Sequence, residues 1–182
     1  MLYLIAIAVL IAADQGLKYW TATHLALGES APFLPGLMQL TRLHNYGAAW
    51  SSLSGKTVFL VVVNVLILLA VAWLLVKKIV RHPLGVWGCV LILSGGIGNI
   101  IDRVWHGYVV DMFHLQFMEF PIFNLADCFV VVGVILSAVY YLWFFEKYDS
   151  VKKEKPHGTD MPESHKSRRG RAPGSVFVRP CA

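Results

Sequence analysis

The sequence predicts an all-α integral membrane protein, with four transmembrane helices carrying a small β-rich extracytoplasmic platform. Three observations predict it. The chain is 57% hydrophobic, where an ordinary soluble domain runs to about 45–50%. Its mean hydropathy is +0.60. The apolar residues also come in blocks, about 2–20, 57–76, 84–101 and 127–145, each near the ~20 residues that a helix needs to cross a bilayer. A soluble helical bundle is a poor alternative, because the second and fourth blocks show no polar face at the helical period.

The first block, "LYLIAIAVLIAADQGLKYW", does not read as a signal peptide. It lacks a basic leading region, and Asp14 and Lys18 interrupt it where a small-residue cleavage site is wanted. The segment 21–56 is long for a simple connector. Pro32, Pro35 and Gly36 mark a turn in it, and "LMQLTRLH" then alternates apolar and polar residues at period two, which predicts a short strand. This segment is the expected platform. The second and third blocks follow, joined by a short loop with Lys77, Lys78 and Arg81. The fourth block, preceded by "FNLAD", runs to Phe145 without a charge after Asp127. No repeat with a period of 20–50 residues is present.

Basic residues set the orientation. Lys77, Lys78 and Arg81 lie between spans two and three, and Lys147, Lys152, Lys153 and Lys155 follow span four. The other two loops are poorer, with Arg42, Lys56 and Arg103. The Lys/Arg excess marks the cytoplasmic side. Both termini are therefore expected in the cytoplasm, with loops 21–56 and 102–126 facing outward. The domain division is 1–149 for the membrane unit and 150–182 for the tail. The tail is charged, poor in large apolar residues and contains "HKSRRGR"; it is expected to be disordered and solvated. Much of the net charge of +5 sits there, so the charge says little about the core and no nucleic-acid partner is expected. Cys89, Cys128 and Cys181 show neither metal-ligand spacing nor a disulfide framework.

The polar residues of the spans converge under this orientation. Asp14 and Lys18 are four apart on the outer half of span one, the favourable order for an ion pair. Asn99 and Asp102 end span three, Asn124 and Asp127 begin span four, and Asn45 and Asp111 lie in the two outer loops. "NIID" and "NLAD" each place an Asn three residues before an Asp, on one face if both are helical. Ionisable groups in a membrane are usually paired and functional. Gly95, Gly96 and Gly98 near the end of span three serve either close helix approach or room for a ligand backbone.

Several carboxylates at a membrane surface suit few chemistries. His44, His106, His114, Ser51 and Ser52 show no Ser–His–Asp pattern. Asp102, Asp111 and Asp127 are a conceivable oxygen-ligand set, yet no HExxH-type motif accompanies them. Two carboxylates sharing one proton would work as an aspartic protease dyad, one as base toward water and one as acid toward the carbonyl.

The stretches "DQGLK" (14–18), "NYGAAWS" (45–51), "GGIGNIIDR" (95–103), "GYVVD" (107–111) and "FNLAD" (123–127) resemble the lipoprotein signal peptidases, the bacterial type II signal peptidase family. The resemblance covers roughly residues 1–147, with all four spans in register. It implies an aspartic endopeptidase of the bacterial inner membrane, without a cofactor or metal, that cleaves prolipoproteins just before a diacylglyceryl-modified cysteine. Carried over by motif, the catalytic residues are Asp111 and Asp127. Asp14, Lys18, Asn45, Gly47, Asn99, Arg103 and Asn124 would contact substrate, and Asp102 and Ala126 would support the site. Asp102 is the runner-up for a dyad acid, with local pairing at the end of span three as its expected job. The strand "LMQLTRL" would hold the peptide partly through backbone hydrogen bonds. Membrane lipid and a prolipoprotein are the expected partners, and the protein is expected to be a monomer. Trp50 stands where the family commonly has Phe, and the segment 112–123 is short for the family.

Two other readings compete. A small ion- or proton-coupled transporter also carries intramembrane acids and glycine breaks, but such sites lie near the midplane. A membrane scaffold explains Asp14 with Lys18 but not the convergence of the remaining acids.

Overall fold

The computed structural model describes residues 1–47 and 55–150. The expectations for Trp50, Ser51 and Ser52, and for the tail from 151, lie outside the described residues. The elements run α1 (Leu2–His24), β1 (Ser30–Leu34), β2 (Met38–Asn45), α2 (Thr57–Val76), α3 (Pro83–His106), β3 (Val109–Leu115) and α4 (Leu125–Trp143), followed by a π-helical turn over Glu146–Ser150. All four helices are long and apolar enough to cross a membrane. Two boundaries differ from the hydropathy blocks. α1 continues past residue 20 to His24, and α3 continues past 101 to His106. Hydropathy fades where Asp102 and Arg103 begin, but backbone hydrogen bonding does not. α3 stops only where Gly107 turns left-handed at φ 81° and returns its N–H to Arg103. α4 starts at Leu125, because Asn124 caps it, and ends at Trp143 rather than 145.

α3 is the hub, packing against α1, α2 and α4. Glycine permits this. A Cβ on Gly88 would stand 2.9 Å from the Gly133 carbonyl oxygen, and one on Gly133 would stand 2.7 Å from the Gly88 carbonyl. The α3–α4 crossing is thus backbone against backbone, as small residues allow between membrane helices. The glycines near the end of span three settle the same way. Gly95 lies against the Ala126 carbonyl of α4, Gly96 against Leu68 of α2, and Gly98 leaves room for the Asp14 carboxylate, which a Cβ would approach to 2.6 Å. α2 contributes no buried residue; its role is to flank α3.

The platform has three strands rather than the single one predicted, and one of them comes from the second connecting segment. The sheet is antiparallel in the order β1-β2-β3. β2 is therefore central, and both of its edges are occupied. The expectation that "LMQLTRL" offers free backbone to a peptide fails for that reason. Between Leu40 and Leu43 the β2–β3 register is irregular, and Leu43 then pairs with Asp111; such irregularities re-aim side chains beside functional sites. Leu25, Leu40, Val110 and Met112 form the small core that seats the sheet on the end of α1. Arg42 secures the joint, its Nη1 donating to the carbonyls of Ala22 at 2.7 Å and Leu25 at 3.0 Å, a cation on the carbonyls that end a helix. The N–H groups of Met112 and Phe113 both donate to the Phe123 carbonyl, at 3.0 and 2.8 Å. Phe123 immediately precedes Asn124, so β3 and the start of α4 are held side by side.

The backbone contact of Gly88 with Gly133 generates a prediction. Gly133→Ala should lower stability by about 1–3 kcal/mol, the usual cost of overpacking. Gly16→Ala, where a Cβ meets nothing within 4 Å, should be neutral or stabilising. Thermal melts of the two variants in detergent, side by side, check this.

Candidate active site

The site forms where α1 and α3 end, α4 begins and the sheet attaches. Its deepest part is charged. Lys18 Nζ lies 2.9 Å from Asp14 Oδ2 and 3.1 Å from Asp102 Oδ2, with Lys18 only 3% and Asp14 0% exposed. The i to i+4 spacing on α1 makes the first pair, and α3 supplies the second partner. Gln15 donates to Asp14 at 3.2 Å, to Asp102 at 3.0 Å and to the Gly98 carbonyl at 3.1 Å. A buried ion cluster is tolerated when such hydrogen bonds satisfy its remaining lone pairs.

The two cluster carboxylates reach out to backbone. Asp14 Oδ1 accepts from Ala126 N at 2.9 Å, and Asp102 Oδ2 accepts from Val110 N at 3.1 Å. Ala126 is the residue before Asp127, and Val110 is the residue before Asp111. Each candidate dyad acid is thereby held through its own chain neighbour. At α4 the first turn exposes N–H donors that need partners. Asp14 supplies one partner, and the Asn124 side chain supplies another by accepting from Asp127 N at 3.0 Å. Asp127 Oδ2 in turn accepts from Asn124 N at 3.2 Å, completing a capping box. "NLAD" is thus a cap motif. Asn124 stands outside the helix, whereas Asn99 stands inside α3, so the two Asn-x-x-Asp pairs are not equivalent.

Asp111 and Asp127 meet at Asn124. Its Nδ2 donates to Asp111 Oδ1 at 2.6 Å, while Asn45 Nδ2 donates to Asp111 Oδ2 at 2.9 Å. Asn99 Nδ2 donates to Asp127 Oδ1 at 2.8 Å, and its Oδ1 accepts from Lys18 Nζ at 3.0 Å. Asn45 Oδ1 accepts from Gly47 N at 2.9 Å, and the Gly47 carbonyl accepts from Arg103 Nη2 at 2.9 Å. Arg103 Nη1 also reaches the Asn99 carbonyl at 3.3 Å. Asp111 is 1% exposed and Asp127 is half-buried. Burial, and then the negative charge of Asp127, push the Asp111 carboxyl from the ordinary 3.8 to about 7, against the opposing pull of the Asn124 and Asn45 hydrogen bonds and the Lys18 charge.

All the residues singled out from the sequence, Asp14, Lys18, Asn45, Gly47, Asn99, Asp102, Arg103, Asp111, Asn124, Ala126 and Asp127, therefore fall in one hydrogen-bonded network. Asp111 and Asn45 sit on strands rather than in open loops. Gln15 belongs to the network and was not singled out. It stands three residues before Lys18, on the adjoining face of α1, but it is uncharged, and its partners all come from α3 or from Asp14 itself. The histidines lie elsewhere. His44 stacks on Tyr108 with ring centroids 3.8 Å apart, and burial, with Arg42 and His106, lowers its proton affinity. His114 pairs with Gln39 at 2.9 Å. Among the described residues, no three His, Cys, Asp or Glu side chains are grouped to hold a metal ion.

Comparison with known proteins agrees with this geometry. Residues 6–143 match the family model described as signal peptidase (SPase) II. A lipoprotein signal peptidase from Streptococcus pyogenes serotype M2 is 46% identical over 151 residues, covering 81% of this chain and 96% of that protein. One from Enterococcus faecalis is 44% identical over 163 residues, covering 88% and 97%. Two solved structures of bacterial membrane enzymes, obtained by the in meso method at 2.3 and 1.9 Å, superpose with TM-scores of 0.74 and 0.72 at 32% and 33% identity. The first covers 84% of this chain and 92% of its own; the second covers 78% and 93%. The relatives are peptidases, and the transporter alternative finds no support among them. A match over this much of the chain, on a fold whose polar residues all gather at one end, establishes that the chain belongs to the signal peptidase II family of proteases.

Proposed function

We propose that this protein is an aspartic endopeptidase that removes the signal peptide from diacylglyceryl-modified prolipoproteins, cutting just before the lipidated cysteine, with Asp111 and Asp127 as its catalytic pair. The observation that supports this most directly is that Asn124 donates to both carboxyls, from its side chain to Asp111 and from its backbone N–H to Asp127, in a pocket of amide donors. Close acids of this kind cannot both ionise easily, so they share a proton. One carboxylate takes a proton from water as the water oxygen bonds to the peptide carbonyl carbon. The other gives its proton to the carbonyl oxygen. The resulting diol collapses as the C–N bond breaks. The first carboxyl then protonates the departing amine, and the second recovers its proton from the diol. Both acids end as they began, and no covalent intermediate is required.

The remaining features support a substrate held in the membrane. The site lies at the ends of the helices, where a lipid-anchored cysteine in the outer leaflet would arrive. Confining the precursor to the bilayer raises its effective concentration at that surface. In this reading both termini are cytoplasmic, as the basic residues 77, 78 and 81 argue. The site faces outward, lipid flanks the exposed faces of α2 and α4, and one chain suffices.

Asp111→Asn and Asp127→Asn should each lower cleavage by about 100- to 10,000-fold while the protein still inserts and folds. A gel-shift assay with lipidated precursor, beside unmodified precursor, measures this; full activity in either variant sinks the assignment. The proton affinity of Asp111 gives a second test. The pair is active with one proton, so kcat/KM should fall as pH rises through about 7, where Asp111 loses its proton. Asn45→Ala removes a donor that favours the charged Asp111, so the alkaline limb should move to higher pH. A pH profile with a lipidated peptide reads both limbs as properties of the pair.

A further inference from the structure

We infer that Lys18 is a positioning residue for the dyad: through the Asn99 amide it holds Asp127 ionised as the base toward water and leaves the shared proton on Asp111. The inference rests on the dyad reading above and adds to it the identity of each acid's role.

The argument starts from what each atom can do. A lysine ammonium only donates hydrogen bonds. The Asn99 atom 3.0 Å from Lys18 Nζ is therefore its oxygen, and the amide has no freedom to turn over. Its NH₂ must face Asp127 Oδ1, at 2.8 Å. The other Asp127 oxygen faces the Asn124 N–H at 3.2 Å, also a donor only. Both Asp127 oxygens thus accept from donors that cannot reverse. Asp111 likewise receives two amide donors, from Asn124 and Asn45, so a count of hydrogen bonds does not separate the two acids. Their surroundings do. The donor chain to Asp127 ends on a cation, and Asp127 sits in the first turn of α4, where the helix dipole favours negative charge. Asp111 lies on a strand at 1% exposure, away from a helix N-terminus; the Lys18 charge reaches it too, but through no donor that Lys18 orients.

Lys18 does not touch Asp127 itself. Its ammonium is occupied by Asp14 and Asp102, and only its third contact points to the dyad. Asn99 takes the third N–H of the ammonium, and that contact is the one that orients the amide donor toward Asp127. Without the ammonium, the Asn99 amide is free to present its oxygen to Asp127 and repel a negative charge there. The charged and titratable groups around Asp127 are Lys18 and Asp14 from α1, Asp102 and Arg103 from α3, Asp111 from β3, and Cys128 beside it in α4. In the reaction, Asp127 takes the proton of the attacking water and passes it to the departing cysteine amine. Asp111 gives its proton to the carbonyl oxygen and recovers it when the diol collapses.

The test is a kcat and KM profile against pH, with a lipidated precursor, for the wild type and three variants. Lys18→Met combined with Asp102→Asn removes one buried charge of each sign and keeps an acceptor for Val110 N. In this variant the acid-side limb of kcat, a property of the pair, should move to higher pH, because a site that loses a cation and an N–H donor holds negative charge less well. At neutral pH kcat should fall by about tenfold or more, with KM nearly unchanged. Lys18→Arg keeps a donor toward Asn99 and should return the limb toward its wild-type position. If the double variant does not fold, Asn99→Ala carries the test, since it removes the donor to Asp127 and leaves Lys18 its two carboxylate partners. A limb that stays in place in the folded double variant, or in Asn99→Ala, overturns the inference. So does a uniform loss of kcat at every pH, which marks a purely structural role. A wild-type protein that leaves the lipidated precursor uncut overturns the dyad reading instead, which keeps the two failures apart.

Discussion

A lysine ammonium carried into an apolar bundle is the constraint on which this molecule turns. Unpaired, Lys18 would cost several kcal/mol. Paired once, with Asp14, it would still leave donors unmet. The fold meets it with carboxylates from α1 and α3 and an amide oxygen from α3. The carboxylates are not used up by this. Asp14 goes on to bind the backbone of α4 and Asp102 the backbone of β3, one residue before each candidate dyad acid. The position of Asp127 relative to Asp111 is therefore fixed by a charge balance made elsewhere. Reactive groups in aqueous enzymes are often set on rigid elements by packing alone. Here hydrophobic packing is a weak device, because lipid is as apolar as the helices. Polar satisfaction does the aligning instead.

That arrangement needs helices closer than ordinary side chains allow. Asp14 must reach across α3 to Ala126, and it passes where Gly98 has no side chain. The Gly88–Gly133 contact further along the same interface brings α3 and α4 together over their length. Glycine destabilises an isolated helix, yet here each absent Cβ is room for a carbonyl or a carboxylate. The glycines and the acids are thus one design: removing side chains at the interface is what lets the ion cluster bridge three helices.

The spans, the platform and the polar residues Asp14, Lys18, Asn45, Asn99, Asp102, Asp111, Asn124 and Asp127 were legible in the sequence for a physical reason, whereas Gly47, Arg103 and Ala126 entered the site through the family resemblance, and Gln15 did not enter it. In an apolar chain a polar residue is a costly exception, so Asp14, Asn99 and Asp127 stand out against their background. Alternation in "LMQLTRLH" exposed β2 by the same contrast. What stayed hidden depends on pairing between distant segments. β3 was missed because "VVDMFHL" is nearly continuous in apolar residues, with no alternation to betray a strand, and only its pairing with β2 makes it one. That pairing also consumed the backbone of β2, which a single-strand picture had left open. The cap at Asn124 was hidden because "NLAD" fits a helical face as well as a capping box, and spacing does not choose between them.

The difference in exposure between the two acids carries the last consequence. Asp111 is closed in by Asn45 and Asn124 above a sheet core, whereas Asp127 is half open at the rim of the bundle. Water has easier access to the carboxylate that is half open, and an acid that must keep its proton is better placed where water is excluded. Ionised groups lose most on burial and neutral ones least. Solvent access and proton placement therefore favour the same division of roles, with the base at the wet edge and the acid in the dry interior. The same logic explains why such a site sits at the ends of membrane helices rather than at their middle. Only there can one carboxyl be kept from water while the other, a few residues away in space, is left within its reach.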